Sequence, residues 1–199
     1  MKHRKPTLDR RKVVADILAQ RGDTLVVTGL GAPTWDAAAT GEHELDFALW
    51  GGMGGTAMTG LGLALAQPRR RVLVITGDGE LLMGLGSLAT IGVEKSRNLS
   101  VIVIDNEHYG ETGMQPTHTR YGVDLPAMAR AAGFRTVGTV YTAAQLKSCL
   151  PRLYRQPGPV FCSIKVTTAD APLVLPVREG TAVKHRFREA LLGPKALTD

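Results

Sequence analysis

Four short runs constrain this chain more than anything else in it: Thr24–Thr28 (TLVVT), Arg71–Thr76 (RVLVIT), Leu99–Asp105 (LSVIVID) and Val160–Val166 (VFCSIKV). They are apolar at consecutive rather than alternate positions, so they must be buried on both faces. Segments of helical periodicity separate them. Thr7–Gln20 sets Val13, Val14, Ile17 and Leu18 on one face, and a short helix falls around Pro33–Ala39. A helix of small residues fits Thr56–Ala66 and stops before Pro68, as helices usually do. Further helices are expected over Leu81–Glu94, Leu125–Ala132, Ala143–Leu150 and about Ala182–Leu192. Phe134–Val140 reads as another strand, Phe47–Trp50 as a brief apolar run, and 107–124 as a long loop. The pattern predicts one α/β domain over 1–199, three layers built on a mainly parallel sheet of about six strands. A basic segment at 1–12 is free to be mobile.

In such sheets a ligand sits beyond the carboxyl ends of the strands. The loops that matter are therefore those after Thr28, Trp50, Thr76 and Asp105. Glycine usage points to the same region: 10 of the 23 glycines lie between Gly51 and Gly86, which brings backbone close to something. The formal charge of +6 owes much to Lys2, Arg4, Lys5, Arg10, Arg11 and Lys12, and reads as solvated ends. With only 5% aromatic residues there is no aromatic–basic interleaving to suggest a nucleic-acid surface. No apolar run approaches the length of a membrane span, and the basic N-terminus lacks the apolar core of a signal peptide. Cys149 and Cys162 have neither a disulfide framework nor metal-ligand spacing, so reduced thiols in a cytoplasmic protein are expected.

Three segments can carry chemistry. In Gly77-Asp78-Gly79-Glu80 an aspartate between two glycines links a strand to a helix, a position suited to phosphate. A lone carboxylate there would repel phosphate but would hold a divalent cation bridging two phosphates. A capping aspartate in an ordinary turn is the other reading. Asn106, 28 residues after Asp78, follows the next strand in Asp105-Asn106-Glu107-His108-Tyr109-Gly110, and adjacent parallel strands would set the two ends side by side. Leu49-Trp50-Gly51-Gly52-Met53-Gly54-Gly55 leaves backbone open to a flat ligand with one soft side chain against it. Gly29-Leu30-Gly31 starts like a dinucleotide fingerprint but lacks its third glycine, and Gly84-Leu85-Gly86 lies inside a helix. His118 is either a proton-transfer or substrate-binding group or a surface histidine.

Taken together, LWGGMGG, GDG and DN-x-x-YG, in this order and spacing, resemble the diphosphate-binding half of thiamine diphosphate-dependent decarboxylases. The likeness runs from about Thr24 to Ala190. Within that family, TGLG, GDGELLMGLGSLATIG and DNEHYGETGMQPTHT are similar to the β subunits of sulfopyruvate decarboxylase and to the matching half of phosphonopyruvate decarboxylase. The resemblance implies thiamine diphosphate and Mg2+ as cofactors, with the metal held by Asp78, the Asn106 side chain and the backbone oxygen of His108. It implies that Met53 props the cofactor in a bent shape and that the Gly51 carbonyl accepts from its aminopyrimidine. Gly52, Gly77, Gly79, Glu80, Tyr109 and Gly110 complete the cofactor loops, with the Glu80 carboxylate expected to turn away from the diphosphate. The family's proton-relay glutamate comes from a separate pyrimidine-binding domain, so an α subunit is the expected partner, in an α2β2 or larger assembly. TGLGAPTWDAAA departs from the Arg-containing segment of these relatives, and the acid processed stays open. A carboligase, an acyl-CoA lyase subunit and a non-catalytic scaffold subunit remain alternatives.

Overall fold

The computed structural model describes residues 6–197. Helix α1 (Arg10–Leu18) leads into β1 (Leu25–Thr28), and α2 (Ala32–Ala38) into the short β2 (Asp46–Ala48). Then follow α3 (Thr56–Ala66), β3 (Val72–Gly77), α4 (Asp78–Met83), α5 (Ser87–Glu94) and β4 (Leu99–Asp105). A two-residue hairpin, β5 (His108–Tyr109) with β6 (Gln115–Pro116), precedes α6 (Leu125–Ala131) and β7 (Thr136–Val140). The chain closes with α7 (Ala143–Arg155), β8 (Val160–Lys165) and α8 (Gly180–Leu192). Six strands form one sheet in the order β2-β1-β3-β4-β8-β7, and every neighbouring pair is parallel. The expected α/β class and strand number hold.

Strand alternation divides the interior into two cores. Leu73, Ile75, Ile102 and Ile104 face α1, α2 and α7, whereas Val72, Val74, Val101 and Val103 face α3, α5, α6 and α8. Each of these side chains is buried, and full burial of one is worth roughly 1.5–3 kcal/mol. That is why β3 and β4 read as continuous apolar runs. The chain passes from β1 to the edge strand β2, then returns to place β3 on the other side of β1. This reversal opens a crevice at the carboxyl ends of β1 and β3, where ligands of open α/β sheets sit.

Several boundaries differ from the sequence reading. Leu81–Glu94 is two helices rather than one, since α4 begins at Asp78 and the chain breaks at Gly84–Gly86 before α5. The cause is a backbone crossing: a Cβ on Gly84 would lie 2.0 Å from the carbonyl oxygen of Gly54. The first helix starts later, with Asp9 as N-cap accepting from the Lys12 amide at 2.7 Å, while Leu8 bridges to Val166 beyond the end of β8. Helix α7 continues through Pro151 to Arg155 instead of ending at Leu150. Thr136, not Phe134, opens β7, and α8 starts at Gly180 under a Glu179 cap. The loop 107–124 contains the β5–β6 hairpin and two 3-10 turns.

The basic segment 1–12 is not uniformly free. Residues 1–5 lie outside the described residues, but Arg10 and Arg11 pair with the fully buried Asp36 of α2 at 2.7 and 3.0 Å. Cys149 and Cys162 are free thiols, yet α7 and β8 bring their sulfurs within 3.3 Å, which their spacing gave no reason to expect. No helix among the described residues is long and apolar enough to cross a membrane.

Candidate active site

A cavity of about 150 Å³ lies at the carboxyl ends of β1, β3 and β4. Its wall is drawn chiefly from four loops and one helix start: Leu30–Pro33 after β1, Met53 after β2, Gly77–Glu80 after β3, Asn106 and His108–Thr112 after β4, and Arg10 of α1. Of the residues proposed from sequence, Met53, Gly77, Asp78, Gly79, Glu80, Asn106, His108, Tyr109 and Gly110 line it. Gly51 and Gly52 do not; they lie in the turn that presents Met53. His118 is exposed and also stands outside the cavity wall.

Register explains why the two acidic motifs meet. Gly77 pairs with Ile104 across the β3–β4 ladder, so Asp78 and Asp105 leave the sheet side by side. Asp78 is 1% exposed; its Oδ2 accepts hydrogen bonds from Thr117 Oγ1 at 2.5 Å and Thr119 Oγ1 at 3.1 Å. Thr119 also reaches Asp105 Oδ1 at 2.9 Å. Asp105 is paired with Lys165 Nζ at 2.8 Å, and the same ammonium contacts Glu107 Oε1 at 3.0 Å. Asp78 has no ion pair among the described residues. Burial first, and the Asp105 charge second, push its carboxyl up to about 7. The site thus holds a buried carboxylate with no lysine, arginine or histidine paired to it among the described residues.

The donor set suits a hard cation shared with a ligand. Among the described residues no three His, Cys, Asp or Glu side chains cluster to enclose a metal. One carboxylate with neutral oxygens around it fits Mg2+, which keeps open positions for phosphate oxygens. Asn106 lines the same wall. Its Oδ1 accepts from the His108 amide at 3.0 Å, and the turn this closes puts Glu107 at φ 64°.

The two glycines around Asp78 answer different demands. A Cβ on Gly79 would sit 2.5 Å from the Tyr109 ring, so packing excludes it. A Cβ on Gly77 would meet nothing within 4 Å, although the residue faces the cavity and its φ of −89° is open to any side chain. The space beside Asp78 is left empty by the protein itself. The Glu80 carboxylate is held by two hydroxyls: it accepts from Thr76 Oγ1 at 2.5 Å and from the Thr56 hydroxyl. Burial raises its carboxyl.

Sequence reading missed Arg10, Glu111, Thr117 and Thr119. The threonines were visible in PTHT, where the histidine drew attention; the 3-10 turn His118–Tyr121 leaves His118 outside and buries both neighbours. Arg10 stood in a basic run that read as solvated.

A parallel sheet with its cavity at the topological reversal, a buried carboxylate and an open glycine beside it are the features of an α/β ligand-binding domain. Residues 31–164 match the family described as thiamine pyrophosphate enzyme, C-terminal TPP binding domain. The chain belongs to that family. It is 37% identical over 131 residues to sulfopyruvate decarboxylase subunit beta of Methanocaldococcus jannaschii, covering 65% of this chain and 69% of that one. The corresponding subunit of Methanococcus maripaludis is 31% identical over 186 residues, 92% of this chain and 98% of its own. Phosphonopyruvate decarboxylase of Streptomyces viridochromogenes is 36% identical over 88% of this chain, which spans only 44% of that protein. Among solved structures, the thiamine diphosphate-dependent 4-hydroxybenzoylformate decarboxylase of Rhodococcus jostii RHA1 superposes with a TM-score of 0.69 at 19% identity. That match covers 85% of this chain and 34% of the other, and it speaks for the fold.

Proposed function

We propose that this chain is the diphosphate-binding subunit, a single domain, of a thiamine diphosphate- and Mg2+-dependent decarboxylase of sulfopyruvate- or phosphonopyruvate-like 2-oxo acids. The products are carbon dioxide and an aldehyde. The observation that carries this reading is Asp78: a buried carboxylate with no ion pair among the described residues, beside a glycine whose Cβ position meets no described residue within 4 Å beyond its chain neighbours.

In this reading Asp78, the Asn106 amide oxygen and the His108 carbonyl hold Mg2+, and Gly77 and Gly79 let diphosphate approach. Thr117 and Thr119 would orient Asp78, and Lys165 pairs with the neighbouring Asp105. Met53, 36% exposed on the cavity wall, would support the cofactor's shape, and the Gly51 carbonyl would accept from its aminopyrimidine. Tyr109 and Gly110 line the same cavity. When bound, thiamine diphosphate supplies the nucleophile and the electron sink for cleavage of the bond to carbon dioxide. Glu80, held by two hydroxyls, keeps its charge out of the diphosphate's path.

The partner is an α subunit that carries the pyrimidine-binding domain and the proton-relay glutamate, in an α2β2 or larger cytoplasmic assembly. Two facts support a split site: this chain covers nearly all of a relative named as a β subunit and under half of a single-chain relative. Co-purification with that partner and a screen of 2-oxo acids with thiamine diphosphate and Mg2+ provide the test. Carbon dioxide release from 3-sulfopyruvate or phosphonopyruvate is expected; none from any 2-oxo acid would end the decarboxylase assignment, and turnover by this chain alone would end the split site. His118→Ala should leave cofactor affinity within about twofold of wild type, because the ring lies outside the cavity wall.

A further inference from the structure

Among the described residues, Arg10 is the one lysine or arginine on the cavity wall, with acidic neighbours Asp78, Glu80 and Glu111. Its position is built rather than incidental. Nη1 donates to Asp36 Oδ2 at 2.7 Å, and Arg11 Nε donates to Oδ1 of the same carboxylate at 3.0 Å. Asp36 is fully buried on α2, whose first turn forms the neighbouring wall. Two guanidinium groups on one carboxylate leave a net positive charge, and Arg10 shows no other hydrogen bond among the described residues. Its side chain is only 11% exposed.

Two of the three acids on the wall already have a role or partners, and the third lies over Gly31. Asp78 is assigned to the metal, and Glu80 is held by Thr56 and Thr76. Glu111 hangs over Gly31, with Oε1 2.7 Å from where a Cβ on that glycine would be. Burial raises its carboxyl, against a smaller opposing pull from Arg10. Among the described residues of this wall, Arg10 is therefore the lysine or arginine side chain that can offer positive charge to an anion. A planar guanidinium anchored through one edge leaves further N–H donors in the fork geometry that matches phosphonate, sulfonate or carboxylate oxygens.

We propose that Arg10 is the specificity-determining residue of this site, receiving the second, oxyanionic group of a dianionic 2-oxo acid. The proposal rests on the decarboxylase reading for its substrate class. It predicts discrimination between acids that carry a second anionic group and those that do not. The same guanidinium chemistry could serve the cofactor's diphosphate, so the test separates the two.

The partnered complex, loaded with thiamine diphosphate and Mg2+, is titrated calorimetrically with 3-sulfopropionate, an unreactive dianion, and with propionate, its monoanionic counterpart. Wild type is expected to prefer the dianion by tenfold or more. Arg10→Gln should erase that preference while cofactor affinity stays within about threefold. Arg11 still pairs Asp36 in that variant; Arg10→Gln combined with Asp36→Asn, which also removes the buried charge, is the second variant should the first misfold. Equal binding of the two probes by wild type, or an undiminished preference in the variant, overturns the proposal. So does a loss of cofactor affinity equal to the loss for the dianion, which would give Arg10 to the diphosphate. Because binding is read without turnover, Arg10-dependent dianion binding in a complex that decarboxylates nothing would retire the parent reading and leave this one standing.

Discussion

The Asp78→Ala protein is expected to bind thiamine diphosphate at least 100-fold more weakly in the presence of Mg2+, about 2.7 kcal/mol, and to lose the Mg2+ dependence of that binding. Asp78 is a cavity-wall carboxylate that accepts from two threonine hydroxyls, has no ion pair among the described residues and adjoins the open space beside Gly77. Asp78→Asn makes the argument sharper. The amide keeps an acceptor for Thr117 and Thr119 but removes a charge that burial and Asp105 both oppose. The empty variant should therefore melt at or above wild type, while the rise in melting temperature on adding Mg2+ and cofactor disappears. A merely structural aspartate gives the opposite pattern, a less stable empty protein with unchanged ligand response. Unchanged Mg2+-dependent affinity in both variants would remove Asp78 from the metal site.

Gly84→Ala is expected to cost about 3 kcal/mol of stability or more, and so to lower the melting temperature by roughly 6–12 °C. The added methyl would lie 2.0 Å from the Gly54 carbonyl oxygen and 2.9 Å from its carbon. Backbone meets backbone there, so no flexible side chain can give way. The end of α4 and the turn after Met53 must separate, and Gly54, held at φ +87°, cannot be turned aside without strain. Met53 moves with that turn, and a roughly tenfold loss of cofactor affinity should accompany the loss of stability. Gly62→Ala in α3 is the control: nothing lies within 4 Å of its Cβ position, and alanine there should stabilise the isolated chain by up to about 1 kcal/mol. Equal melting of Gly84→Ala and wild type would show that the crossing does not hold the two loops together.

Much of this was legible in the sequence because it was written in burial. The runs RVLVIT and LSVIVID are apolar at every second position for one core and at the intervening positions for the other, and the cores they imply are present. Motif spacing brought Asp78 and Asn106 to one wall because one strand–helix–strand unit separates them. What escaped was set by contacts between distant backbone segments. Nothing local marks Gly84 as the place where Leu81–Glu94 must break, since the obstacle is Gly54, thirty residues earlier. Arg10 escaped for a related reason: a basic terminus reads as solvated until a buried Asp36 is seen to hold it. In PTHT the chemistry-bearing histidine stood out, and the two threonines that reach Asp78 and Asp105 did not, because a hydroxyl's partner is invisible without the third dimension.

The unequal glycines of the Gly77-Asp78-Gly79 turn bear on how this chain would respond to selection. Tyr109 polices position 79, so a library sorted for folded protein would keep that glycine without any ligand present. Nothing polices position 77. Alanine there should pass every sort for expression, solubility and heat resistance, and fail only when the sort demands a loaded cofactor. Stability-based scanning would record the two glycines as one essential and one dispensable, and the dispensable one would be the residue that reports on the ligand.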